Sequence, residues 1–281
     1  MVENGGERRR MKPEQISLNA RDIKSSTLLA AIERDGINDG VDEKITEAET
    51  ERICEAILEM QRRQYDDVRR NKYHNAEHAS EVINRVKAIF ARDNGIKPNV
   101  QRLIRIAAAF HDLGHSGKTL RKAADGLSNE EYAAVLADQW IVDTKIKLSV
   151  NQRVKLYALI IGTTFGNHAI KPETKAEQIL AIADIGGFVN SWEWWVKESA
   201  LVLKEISKSQ RPKTMEEWLN GRLAFLDHID ARLAAVKGFN HGYYMKAAEK
   251  RKIVTELLAG RGAEYRDVIE KVIRPELNAN S

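Results

Sequence analysis

Apolar residues recur at three- and four-residue spacing along most of this chain, and no segment alternates apolar with polar. That period is the helical one, so the pattern predicts helices and leaves no strand to build a sheet. Scarce breakers agree: 281 residues hold only five prolines and 17 glycines. The expected fold is therefore all-α. The spacing predicts helices over 47–69, 76–90, 99–110, 129–140, 152–161, 173–185, 191–207, 215–237, 243–259 and 263–273. Ser128, followed by Glu130 and Glu131, reads as a helix start. Gly114 reads as the stop after Phe110. A short helix is also expected around Ser26–Glu33, within a tail covering residues 1–45. Residues 46–240 then form one compact domain and 241–281 a C-terminal helical extension.

Composition narrows the class. Charged residues make up 31% and hydrophobic ones 43%, as in ordinary folded domains. Net charge is +4, with acids and bases interspersed, so the Arg8-Arg9-Arg10 run reads as a solvated tail. Nucleic acid is therefore not the expected partner. One cysteine, Cys54, permits no internal disulfide and suits a reducing compartment. No apolar run approaches the roughly 18 residues of a membrane span. With no apolar leader after Met1, the expected location is cytoplasmic.

The chemistry lies where apolar helical runs end in metal-ligand residue types. Leu103 to Phe110 ends in His111-Asp112, and Ile179 to Ala183 ends in Asp184. A carboxylate placed there must find a cation, a capped amide or water, because an unpaired buried charge costs several kcal/mol. His74 and His78 lie upstream, four apart, a spacing that shares one face if both are helical. Imidazole and carboxylate together suit borderline and hard divalent cations. A bland reading stands beside this one: His111 as a satisfied core histidine, and Asp112 and Asp184 as turn caps. Gly117-Lys118-Thr119 mimics the end of a phosphate-binding loop, but Asp112 stands where that loop needs glycine.

The order His74, His78, His111-Asp112, Asp184 resembles the HD-domain superfamily of metal-dependent phosphohydrolases. Tyr73-His74-Asn75 with His78-Ala79 and Val82 is similar to the signature of cyclic-nucleotide phosphodiesterase catalytic domains. His111-Asp112-Leu113-Gly114-His115, Ala183-Asp184-Ile185, and the Trp192 and Trp195 pair extend the likeness over about residues 70–236. The family's Thr-Asp-Met segment corresponds to Thr163-Thr164-Phe165 with His168, and Thr164 replaces its aspartate.

The resemblance implies that His78, His111, Asp112 and Asp184 bind a first metal, zinc or another transition metal. Asp112 bridges to a second, magnesium or manganese, held largely by water. Hydroxide between the metals attacks phosphorus, and His74 protonates the leaving oxygen as general acid. His115 and one of Glu130 and Glu131 act behind the ligands, and Tyr73, Arg222 and Phe225 meet the substrate. Arg222 departs from the family, which has a base-orienting glutamine there. Arginine only donates, so it suits a carbonyl or an additional phosphate. The implied activity is hydrolysis of a cyclic nucleotide. The alternative is an HD-type phosphohydrolase of nucleoside mono- or triphosphates or an alarmone. A di-iron oxygenase and a metal-stabilised binding module rank lower. The C-terminal helices could brace the domain, cover the pocket or make a homodimer contact.

Overall fold

The computed structural model describes residues 44–64, 71–92, 95–115, 127–165, 172–234 and 241–279. The N-terminal arginine run, the helix expected at Ser26–Glu33, the 117–119 loop and His168 lie outside them. Among the described residues there are helices and no strands, as the spacing predicts.

Six helices contribute to the first core, and three of them lead the chain into it. These three are α1 (Glu47–Gln64), α2 (Ala76–Phe90) and α3 (Pro98–Phe110). α3 is the spine: every residue from Leu103 to Phe110 is buried, because α1 and α2 cover it together with α5 (Val150–Ile161) and α6 (Lys175–Asp184). A helix apolar on all sides is stable only when enclosed in this way. Its one buried charge, Arg105, reaches Glu47 in a two-pronged pair at 2.6 Å and Glu51 at 3.0 Å on α1. Gln61 of α1 donates to the Ala109 carbonyl at 3.2 Å. α3 therefore reaches Phe110 rigidly packed, and His111-Asp112 follow at once.

Local chemistry sets the helix ends. α4 (Asn129–Asp143) and α5 both begin with capping boxes, at Ser128 with Glu131 and at Ser149 with Gln152. Arg153 grips Asp138 at 2.6 and 2.7 Å and ties the two helices together. Gly114 ends the turn after α3 at φ +75°, a conformation that favours glycine. A Cβ there would meet the Tyr132 ring at 2.7 Å, so α4 enforces the same choice.

A second core lies beyond α6. A 3-10 turn (Gly186–Val189) leads into α7 (Trp192–Glu205) and α8 (Met215–Ala234). α9 (His241–Leu258), α10 (Ala263–Val272) and α11 (Arg274–Asn278) follow. Ile182, Phe188, Trp195, Trp218 and Leu226 share this core with Val254, Ile269 and Ile273 of the last helices and the joint between α10 and α11. Trp192 donates to the Tyr265 carbonyl at 3.2 Å, and Lys204 pairs with Glu276 at 3.2 Å. Of the three roles open to residues 241–281, bracing is the one these contacts describe. The expected helix 263–273 is α10, which ends at Val272, and α11 follows beyond the expected range.

No helix among the described residues is long and apolar enough to cross a membrane.

Candidate metal centre

His78, His111, Asp112 and Asp184 converge from three helices. His78 sits in the first turn of α2, His111 and Asp112 follow α3, and Asp184 ends α6. The His78 Nε2 lies 3.0 Å from Asp184 Oδ1 and 3.5 Å from Asp112 Oδ2. The His111 Nε2 lies 3.1 Å from Asp112 Oδ2 and 3.2 Å from Asp184 Oδ1. Donor atoms at about 2.0–2.2 Å from one cation are themselves separated by about 3.0–3.5 Å.

Partner atoms sharpen the point. His111 Nδ1 meets the Ala108 carbonyl at 2.8 Å, and a carbonyl only accepts. Nδ1 therefore carries a proton, and Nε2 faces the cluster, where its lone pair would become available to a bound cation. His111 Nε2 and Asp112 Oδ2 are buried and find no hydrogen-bond partner among the described residues, although they approach each other. Two such atoms face to face suit a divalent cation between them. His78 Nδ1 is equally buried and unpaired, so this imidazole lacks the acceptor that often orients a ligand.

The electrostatics follow from proximity. Burial pushes His111 down, but Asp112 and Asp184 outweigh it and raise its pKa well above the usual value. Burial pushes Asp112 and Asp184 up, and the His111 charge reverses that, so both carboxyls stay ionised. For His78 burial wins and the ring is driven towards neutrality, the form that binds metal.

His74 is separate from this group and is not helical. Asn75 caps α2 by accepting from the His78 amide at 3.0 Å, so the chain turns before the helix begins. His74 and His78 therefore share no helical face; their rings are 6.1 Å apart and differently held. Glu205, the last residue of α7, accepts from His74 Nδ1 at 2.5 Å. Its other oxygen accepts from the Tyr73 and His74 amides at 2.5 and 3.1 Å. Burial lowers the His74 pKa, but Asp112 and Glu205 more than restore it, so the ring favours its proton. His115 stacks on His74 at 3.7 Å, and its Nε2 lies 3.1 Å from the Asn129 amide. His74, Asp112 and His115 bring one ligand atom each within 4.8 Å of one another, as do His78, His111 and Asp112. Asp112 belongs to both groups.

The two glutamates part company. Glu131 closes the Ser128 capping box, its carboxylate accepting from the Ser128 amide at 2.7 Å, so its expected place behind the ligands is corrected. Burial raises Glu130, and Asp112 and Asp184 add to that, which places Glu130 within reach of the cluster's field.

Beside the cluster lies a cavity of about 250 Å³ that Tyr73, His74 and Asp184 share with Trp195, Arg222 and Phe225. All three residues expected to meet the substrate therefore line it. Several supports were not anticipated. Arg85 donates to the Ala183 and Asp184 carbonyls at 3.1 and 3.3 Å, and pairs with Glu81 and with Glu198 at 2.7 and 3.1 Å. It lies seven residues after His78 on α2, two turns along the same face, and the heptad spacing was the available signal. Arg232 donates to the Gly162 and Thr164 carbonyls, and its guanidinium lies 5.4 Å from the Phe165 ring on the cavity wall. Nothing in the sequence near Glu205 announces it; its partner is 131 residues away.

Comparison with protein-family models, with curated proteins and with solved structures finds no match to this chain.

Proposed function

We propose that this chain is a metal-dependent phosphohydrolase of the HD type, and that it opens the phosphodiester of a cyclic nucleotide. One observation carries the reading: His78, His111, Asp112 and Asp184 meet at cation-sized separations with unpaired atoms turned inward. These four would hold the first ion, a transition metal, since two imidazoles and two carboxylates suit that class. Asp112 would be shared with a second ion, magnesium or manganese. Bound cations would supply Lewis acidity, neutralising charge on the phosphoryl oxygens and lowering the pKa of water to about 7.

The chain's own residues supply the rest. Glu205 fixes His74 through Nδ1 and leaves Nε2 to deliver a proton. The nearby carboxylates keep that proton on the ring. The leaving sugar oxygen receives it, and the cavity holds the remainder of the nucleotide. His115, stacked on His74, limits the ring's tilt. The expected partner remains a small nucleotide. A cytoplasmic setting is part of the proposal; the lone Cys54, buried and pushed up to about 12 by that burial, is an inert thiol that supports no redox role.

A second reading is a phosphohydrolase of nucleoside mono- or triphosphates or an alarmone, favoured by the donor-only Arg222 on the cavity wall. Elemental analysis of the purified chain, then a hydrolysis screen over cyclic mononucleotides, cyclic dinucleotides and nucleoside triphosphates with magnesium or manganese, separates the two. Ring opening of a cyclic nucleotide is expected. Phosphate release from triphosphates alone would replace the first reading with the second.

A further inference from the structure

Among the described residues, Arg222 is a cation without a counter-charge. One N–H goes to Ser199 Oγ at 3.2 Å, and Nε is shielded from water with no acceptor. No carboxylate among the described residues pairs with it. Glu198 lines the same cavity, but Arg85 holds its carboxylate at 3.1 Å. The guanidinium leans over Phe225 at 5.4 Å and Trp218 at 5.8 Å, which fixes its plane. Burial draws its pKa down to about 10, so it stays charged at neutral pH.

The cavity limits what can reach it. Its volume, about 250 Å³, is below the roughly 300–1,000 Å³ of sites for drug-sized ligands, so it takes one ring system. Phe188, Trp195, Val202 and Phe225 make most of the wall apolar. A second phosphate would be stripped of water there, with Arg222 as the one charged donor beside Ser199 at this end and the Glu198 carboxylate on the same wall. A planar ring keeps the apolar contacts and needs only acceptors at its edge. The O6 and N7 atoms of a 6-oxopurine are two adjacent acceptors, which a guanidinium can meet with two N–H groups. Adenine offers N7 beside an amine, and that amine would face a donor.

We propose that Arg222 makes this cavity selective for guanine-type mononucleotides over adenine ones. The inference rests on reading the cavity as the nucleotide end of the phosphohydrolase site. Its test is equilibrium binding of GMP, AMP and adenosine 3′,5′-bisphosphate to the full chain by calorimetry. GMP should bind about tenfold or more tightly than AMP, within the range one bidentate base contact provides. Arg222→Gln should bring the two within about twofold at an unchanged melting temperature, and Arg222→Lys, which keeps charge but not the fork, should also lose most of the preference. Equal affinities, no binding of either nucleotide, or a bisphosphate that outbinds GMP would each overturn it. Binding is read without turnover, so the two readings fail separately. A chain that prefers GMP yet opens no cyclic nucleotide keeps this inference and loses the phosphodiesterase reading. One that opens adenine and guanine substrates equally, with equal affinities, does the reverse.

Discussion

The two ends of the cavity solve the burial of charge in opposite ways. At the histidine–aspartate end every ionised group has an opposite neighbour: Asp112 and Asp184 face His111, and Glu205 faces His74. At the other end Arg222 has a serine and two aromatic rings. The first end sets three carboxylates against two imidazolium rings, and a bound cation would replace the His111 proton. The second carries a net charge and asks for acceptors. A ligand with a phosphoryl group at one end and an acceptor edge at the other answers both.

The strongest way to break this comparison is at Asp112, the atom source common to both ligand groups. Asp112→Ala should abolish metal in elemental analysis and lower hydrolysis about a thousandfold or more, the upper range for one electrostatic contact. A variant that kept both its metal and its turnover would dismiss the shared-carboxylate reading. His74→Ala comes next, with about a hundredfold or greater loss of turnover and full metal content. Metal loss in that variant would make His74 a ligand instead, with Asp112 and His115 as its companions. Glu205→Gln should cost less, about tenfold, since the amide keeps the contact's shape and gives up its charge. Equal rates for Glu205→Gln and wild type would remove Glu205 from the site.

Smaller effects test the strut between the two ends. A Cβ on Gly187 would come within 1.7 Å of the Glu198 carboxylate that Arg85 holds. Gly187→Ala should therefore destabilise the fold by about 1–3 kcal/mol in denaturant titration, the usual cost of overpacking. The smallest effect lies far from the cavity. Arg105 hydrogen-bonds Glu47 and holds its carboxyl at about 2, below the ordinary 4.5. The folded value is depressed, so this stability is present above about pH 4.5 and is lost as pH falls towards 2. Glu47 is 58% exposed, so after solvent screening the pair contributes about 1 kcal/mol at most. Glu47→Gln should lower the melting temperature slightly at pH 7 and leave it unchanged near pH 2; a difference that persists at low pH would show the effect is not the charge.

Helix period was easy to read because it repeats. α2 begins and ends where the spacing put it, since Asn75 and the apolar stripe are both local signals. Residues 235–237 of the expected α8 lie outside the described residues, and α9 begins at His241, two residues before the expected start. His111, Asp112 and Asp184 were legible because they end apolar runs, where a polar residue needs a reason, whereas His78 opens its helix and was assigned as a ligand only through the family resemblance. Glu205 and Arg85 were not legible, because their roles depend on helices meeting across 131 and 98 or more residues of chain. The His74 and His78 spacing gives a shared helical face only if no cap intervenes, and Asn75 is that cap.

The shared second core has a consequence for the order in which the molecule is completed. A chain made from its N-terminus can assemble α1 to α6, and with them all four convergent ligands, while α9 to α11 are still being synthesised. Glu205 sits on α7, which packs against α10 and α11 and is tied to them through Trp192 and Lys204. The nascent protein would therefore gather its histidine–aspartate cluster before a firmly seated partner for His74, and the His74–Glu205 contact would be the last part of the site to mature.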